Sequence, residues 1–201
     1  MSAPGAGAPA GVTLLLLNGG GSRRMGRDKA SMEVDGRPLG MRPVEALGPL
    51  VVEVVVAGRP VPGLAARTVA DGVPGAGPLA GVVAGLGGVR TPLAVAVACD
   101  MPALVPAVVE LLLARLAAGP GLLAACCAGP AGLEPLPLAL RAAAARAPLE
   151  AALARGERAL RAALEGPGLG VVEEADWRAL DPEGRCFLNW NRPEEVAGVV
   201  H

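Results

Sequence analysis

Between Leu17 and Lys29 the chain reads Leu-Asn-Gly-Gly-Gly-Ser-Arg-Arg-Met-Gly-Arg-Asp-Lys, with Gly19, Gly20 and Gly21 followed by Arg23, Arg24, Arg27 and Lys29. Glycines accept positive φ, so successive backbone N–H groups can turn inward and form a cradle for an anion. The cations behind them neutralise what the cradle holds. Together they point to the phosphates of a nucleotide. The plainer alternative is an exposed glycine turn with incidental charges. Two common phosphate loops fail on spacing. Gly21 and Gly26 are set as in a Walker loop, but Arg27 and Asp28 follow where Lys and Ser or Thr are needed. A dinucleotide fingerprint from Gly19 would need glycine at 24, where Arg24 stands.

Three further segments carry groups that could do chemistry. The apolar run Leu93–Cys99 ends in Asp100-Met101-Pro102. A carboxylate at a strand's carboxyl end suits Mg²⁺, a hard cation usually held by one or two carboxylates and by phosphates; it could also simply satisfy backbone N–H groups in the turn. Asp71 opens a glycine-proline loop, Asp71 to Gly81, that runs into a helix, and a helix start offers N–H groups to an anion. An ordinary loop would look the same. Near the end lies Leu188-Asn189-Trp190-Asn191-Arg192-Pro193. Pro193 suits a first helical turn and Asn191 could cap it.

Other chemistry is excluded. The only histidine is the last residue, His201, which removes a catalytic triad, an imidazole base and a zinc site. Cys99, Cys126, Cys127 and Cys186 show no metal-ligand spacing. Cys126 and Cys127 are neighbours in a strand and point to opposite faces, so they do not share a metal. Buried, reduced thiols fit a cytoplasmic protein.

These groups need strand ends to hold them. Val12–Leu17, Val51–Ala57, Leu93–Cys99 and Gly121–Ala128 are short and apolar throughout, the pattern of strands covered on both faces. Helical patterns lie between them near Leu39–Leu47, Leu79–Leu86 and Pro106–Ala118. The alternation predicts an α/β fold with a mostly parallel central sheet and helices on both sides. Asp35-Gly36 closes a small hairpin after Ser31–Val34. Leu138–Leu164 reads as two helices broken near Pro148 or Gly156, Val171-Val172 as a short strand, Phe187–Asn189 as another, and a last helix begins after Pro193.

Length and composition bound the rest. The 201 residues suit one domain, taken as 12–201, behind a flexible leader over residues 1–11. One Phe, two Trp and no Tyr leave no stacking platform for nucleic acid. Eighteen basic residues against nineteen acidic ones give no basic field toward nucleic acid or an anionic membrane. The chain is 52% hydrophobic, yet prolines, charges and glycine clusters cut every apolar stretch short of a membrane span.

The run LNGGGSRRMGRDKA resembles the signature Leu-Ala-Gly-Gly-x-Ser-x-Arg-Met-Gly-x-Asp-Lys-Ala of the molybdenum cofactor guanylyltransferases, within the nucleoside-triphosphate transferase superfamily. The other motifs follow in the family's order, from about Leu14 to Val196. The resemblance implies a single-domain, Rossmann-like three-layer sandwich. It places Leu17, Asn18, Gly19 and Lys29 at the nucleotide, with Gly20 and Gly21 in the same loop. Asp71 would also lie at the nucleotide, Asp100 would hold the metal, and Asn189 and Asn191 would lie near the pterin. Two positions depart from the family pattern: Asn18 replaces an alanine, and Gly58 stands where an asparagine usually contributes to the nucleotide site.

The implied reaction moves GMP from GTP to molybdenum-molybdopterin, forms the guanine dinucleotide cofactor and releases pyrophosphate. Its nucleophile is a terminal phosphate oxygen, already anionic near neutral pH, so a chain without a usable histidine can perform it. The task reduces to aligning two polyanions and offsetting charge on the leaving group, with Lys29, Arg23 and Mg²⁺ on Asp100 as agents. Gly-Gly after position 18 and Asp28-Lys29-Ala30 favour guanine over the related cytidylyltransferases. Expected partners are the two substrates, molybdenum-insertion proteins and recipient molybdoenzymes. The competing readings are a CTP-dependent or sugar-nucleotide transferase and a non-catalytic adaptor that binds nucleotide or cofactor.

Overall fold

Val12–Asn18 forms β1, every residue of it buried, in the interior of a seven-stranded sheet. Such a strand has no polar face to offer, so it needs a helical layer on each side. The computed structural model describes residues 11–19, 29–34, 36–70 and 77–190. Most of the leader, the Asp35 turn position and the final helix expected after Pro193 lie outside them.

Glu33–Val34 and Arg37–Pro38 (β2 and β3) pair antiparallel around Gly36, whose φ is 74°. Helix α1, Met41–Leu47, then leads to β4, Glu53–Gly58, which pairs parallel with β1. Next comes β5, Arg67–Val69, parallel to β4 at the sheet edge. The chain returns through α2, Gly77–Leu86, to β6, Leu93–Ala98, on the opposite side of β1. The order therefore reverses between β4 and β6, and β1 stands at the switch point, where open α/β sheets bind ligands beyond the strands' carboxyl ends.

Beyond β6 the chain forms α3, Pro106–Ala118, and then the antiparallel hairpin of β7, Ala124–Gly129, and β8, Gly132–Arg141. Helices α4, Ala142–Ala154, and α5, Leu160–Leu164, precede β9, Leu169–Val172, which pairs parallel with β7. Helix α6, Glu174–Arg178, and a 3₁₀ turn at Arg185–Phe187 complete the described part. The full order is β5-β4-β1-β6-β8-β7-β9, parallel except for β8.

Alternation along the strands divides the core. Leu14, Leu16, Val95, Val97 and Cys127 pack with Leu47 of α1, Leu112 of α3 and Trp177 of α6. Leu15, Leu17, Ala94, Ala96 and Cys126 pack with Val82 of α2, Leu149 of α4 and Leu160 of α5. The adjacent cysteines thus enter opposite layers. Burial pushes their thiols up, to about 11 for Cys126 and about 12 for Cys127.

Two expectations about secondary structure change. Leu138–Arg141 belongs to β8 rather than to a helix. A strand between β6 and β7 is buried on both faces, and its apolar run is indistinguishable from a buried helix by periodicity. Pro135 and Pro137 lie where the pairing of β7 with β8 shifts register, between Ala125↔Ala139 and Cys127↔Glu134, so their missing N–H groups fall in an interrupted ladder. Phe187 closes a 3₁₀ turn instead of starting a strand. The buried Asp181 carboxylate accepts the Cys186 N–H at 2.8 Å and fixes that turn.

Among the described residues no helix is long and apolar enough to cross a membrane.

Candidate active site

The carboxyl ends of β1 and β6 lie side by side, with Leu17 opposite Ala98 and the Cys99 N–H bonded to the Leu17 carbonyl at 3.1 Å. Two sequence-predicted segments therefore meet: the start of the glycine loop at Asn18-Gly19, and Asp100. The far end of the loop returns to the same place. Lys29 opens a 3₁₀ turn, Lys29–Ser31, and its Nζ lies 3.1 Å from Asp100 Oδ2, with both side chains about four-fifths buried.

Several contacts set the Asp100 turn. Met101, itself buried, closes it with its N–H on the Ala98 carbonyl at 3.2 Å, while the Ala98 N–H meets the Met101 sulfur at 3.4 Å. The Asp100 carbonyl accepts the Trp190 N–H at 2.9 Å. That bond brings the C-terminal segment, with exposed Asn189, beside the aspartate.

Asn18 is buried, and its amide bonds protein atoms on both sides. Nδ2 donates to the Arg59 carbonyl at 2.8 Å, and Oδ1 accepts from Cys99 Sγ at 3.5 Å. The Arg59 N–H in turn reaches the Asn18 carbonyl at 3.1 Å. The side chain therefore ties together the ends of β4, β1 and β6. Gly58 belongs to this knot. Its φ is +112°, and a Cβ there would overlap the Asn18 carbonyl. Sequence reasoning saw only a missing side chain at Gly58; the backbone leaves no room for one.

Helix α2 supplies the remaining wall. Gly81 faces Leu17 and Gly85 faces Leu15, so the helix runs antiparallel to β1 and its first turn stands at the strand's carboxyl end. The partial positive charge of a helix N-terminus thus adds to the charge of Lys29. Leu17 joins strand to helix by packing in one cluster with Leu79 and Val82.

Leu17, Asn18, Gly19, Lys29, Asp100 and Asn189 are thus brought to one end of the sheet. Gly20, Gly21, Arg23, Asp71 and Asn191 lie outside the described residues. Cys99 and Trp190 were missed as site-builders. Cys99 was legible only as a buried thiol. The only signal for Trp190 was that a rare aromatic stood inside the C-terminal motif.

One strand-end carboxylate beside a lysine can serve a phosphorylated ligand with an oxygen-loving cation. Asp100 Oδ2 is engaged by Lys29, and no hydrogen bond to Oδ1 comes from the described residues. Among those residues no group of three or more His, Cys, Asp or Glu stands together as a preformed metal cage. This donor set fits Mg²⁺, which takes few protein ligands and completes its shell with water and phosphate oxygens.

Comparison with known proteins identifies relatives of the chain. The sequence profile of the MobA-like NTP transferase domain matches residues 14–169. The probable molybdenum cofactor guanylyltransferase of Chloroflexus aggregans is 37% identical over 195 residues, covering 90% of each chain. The molybdenum cofactor guanylyltransferase of Burkholderia ambifaria is 36% identical over 205 residues, covering 94% of this chain and 95% of the relative. The crystal structure of molybdopterin-guanine dinucleotide biosynthesis protein A from Archaeoglobus fulgidus superposes with a TM-score of 0.75 at 26% identity, covering 92% and 95% of the two chains.

Proposed function

The chain belongs to the MobA-like NTP transferases, and we propose from that premise that it transfers GMP from GTP to molybdenum-bearing molybdopterin, releasing pyrophosphate. The observation that carries the residue assignment is the meeting of Lys29 with Asp100 at the switch point. Ends of two motifs more than seventy residues apart converge where a triphosphate would lie.

The backbone from Asn18 through Gly21 receives the phosphates, and the α2 N-terminus behind Asp71 adds its N–H groups. Lys29 and Arg23 neutralise the triphosphate and the departing pyrophosphate. Asn189 and Asn191 orient the acceptor. The acceptor's phosphate oxygen attacks the α-phosphorus as the bond to the β-phosphate oxygen breaks; a phosphoanhydride forms and pyrophosphate carries away the displaced charge. No proton must be removed from the nucleophile, which is already anionic. Catalysis therefore rests on alignment and charge compensation. Nucleotidyltransferases generally use a divalent metal, and Asp100 would hold Mg²⁺ here, supplying electrostatic stabilisation of phosphate charge.

We place this activity in the cytoplasm, receiving its acceptor from molybdenum-insertion proteins and passing product to molybdoenzymes. Pyrophosphate release with GTP, CTP and ATP, each with and without molybdenum-molybdopterin, tests the reading. Release should require the acceptor and be fastest with GTP. Turnover led by CTP would assign a cytidylyltransferase. Nucleotide binding without turnover would assign an adaptor.

A further inference from the structure

Trp190 belongs to neither of the two large core clusters. It is buried in a small third cluster with Val34 of β2 and Leu39, directly after β3. Its neighbours on the chain are solvent-facing: Leu188 is 44% exposed, and Asn189 is exposed as well. In this stretch the indole is the side chain buried against the hairpin, and the Trp190 N–H holds the backbone to Asp100. With the indole turned into the hairpin, Asn189 beside it stays exposed.

The anchor lies within a closed circuit. The hairpin is tied to the Lys29 turn by the Leu39 N–H on the Met32 carbonyl at 2.7 Å and the Gly40 N–H on the Ala30 carbonyl at 3.1 Å. Lys29 reaches the Asp100 carboxylate at 3.1 Å. The Asp100 carbonyl accepts the Trp190 N–H at 2.9 Å, and the indole returns to the hairpin through Val34 and Leu39. Nucleotide-side lysine, metal-side aspartate and C-terminal segment are thereby held in one frame.

We propose that Trp190 is a positioning residue for the acceptor, holding Asn189 in register with the Asp100 carboxylate. The inference rests on the reading of Asn189 as an acceptor contact. It assigns the hairpin of β2 and β3 the task of seating this tryptophan. Phenylalanine should largely replace it, because an aromatic wedge is what the cluster requires and the bond to Asp100 comes from the backbone.

The test is a split between the two substrates in the full-length chain. Trp190→Ala should raise KM for molybdenum-molybdopterin about tenfold or more while GTP affinity by calorimetry stays within about threefold. Trp190→Phe should restore acceptor KM to within about threefold of the parent. Val34→Ala, which thins the opposite wall, should shift acceptor KM in the same direction by less. Unchanged acceptor KM in folded Trp190→Ala, or equal weakening of both substrates, would overturn the proposal. Should Trp190→Ala not fold, Val34→Ala decides, and an unshifted acceptor KM there has the same force. A parent protein without acceptor-dependent pyrophosphate release would instead remove the functional reading, and this inference with it.

Discussion

A side chain at Gly58 would run into the backbone carbonyl of Asn18, while the Asn18 side chain reaches across to the carbonyl of Arg59. Two departures from the family pattern thus sit in one contact. The bare backbone at the end of β4 lets it close onto β1, and the amide at the end of β1 fastens it there. The two residues together fix how the carboxyl ends of β1 and β4 meet.

Asn18→Ala should cost about 1 kcal/mol, the usual net value of one hydrogen bond, and raise KM for GTP several-fold by loosening the Arg59 backbone. Gly58→Ala should be worse. It forces a Cβ into a positive-φ position, a strain of about 1–3 kcal/mol, and adds the overlap with Asn18. Denaturant midpoints and GTP calorimetry on both variants check the ranking; if Gly58→Ala proves the milder change, the proposed packing is wrong.

The glycines of α2 give a sharper contrast. Alanine is favoured over glycine within a helix by about 1 kcal/mol, so the neighbour decides the sign. At Gly81 the nearest atom to an added Cβ is Leu17 Cδ2 at 3.4 Å, an ordinary contact. At Gly85 the Cβ would overlap Leu15 Cδ1, and overpacking a core costs about 1–3 kcal/mol. Gly81→Ala should therefore be neutral or stabilising in a thermal melt, and Gly85→Ala should lower Tm. Because the first turn of α2 lies at the proposed nucleotide site, Gly85→Ala should also weaken GTP binding.

Where local pattern and burial agreed, the sequence was easy to read. Helix α3 spans Pro106–Ala118 as its pattern predicted, and β1 and β6 end within one residue of their expected limits. That Asn18, Lys29 and Asp100 belong to one candidate site was legible because a glycine loop, a cation and a strand-end carboxylate announce themselves locally. The β8 strand was not, since two-sided burial erased the alternation that marks a strand. The seat of Trp190 was not legible either. It depends on a hairpin more than 150 residues earlier in the chain, and no local period reports such a contact.

Burial also sets an alkaline limit on stability. Desolvation raises the thiols of Cys126 to about 11 and of Cys127 and Cys186 to about 12, from a usual value of 9.0. Above pH 9 the unfolded chain releases these protons while the folded chain retains them. The unfolded state then binds fewer protons, so stability falls as pH rises from 9 toward 11–12. Tm should decline over that window, and Cys126→Ala should make the decline shallower whatever it does to Tm at pH 7. A slope identical to that of the parent would mean that other groups govern the alkaline limb. At pH 8 the same three thiols should resist alkylation in the folded protein.

The ion pair of Lys29 with Asp100 yields the most direct test of the site. Asp100→Asn keeps the size and hydrogen-bonding reach of the side chain but removes the charge that would attract Mg²⁺. The rate should fall by about two orders of magnitude or more through lost electrostatic stabilisation, with the fold intact by circular dichroism. Lys29→Met should act on the other partner, raising KM for GTP and lowering kcat together, because the lysine's charge would offset that of the phosphates in the ground state and more strongly in the transition state, where charge builds on the departing pyrophosphate. If the two residues act on one triphosphate, the double variant should lose much less than the product of the single losses, since groups working as a unit are not additive. Near-normal turnover of Asp100→Asn would show that the metal is held elsewhere, and multiplicative losses would show that the two side chains serve separate steps.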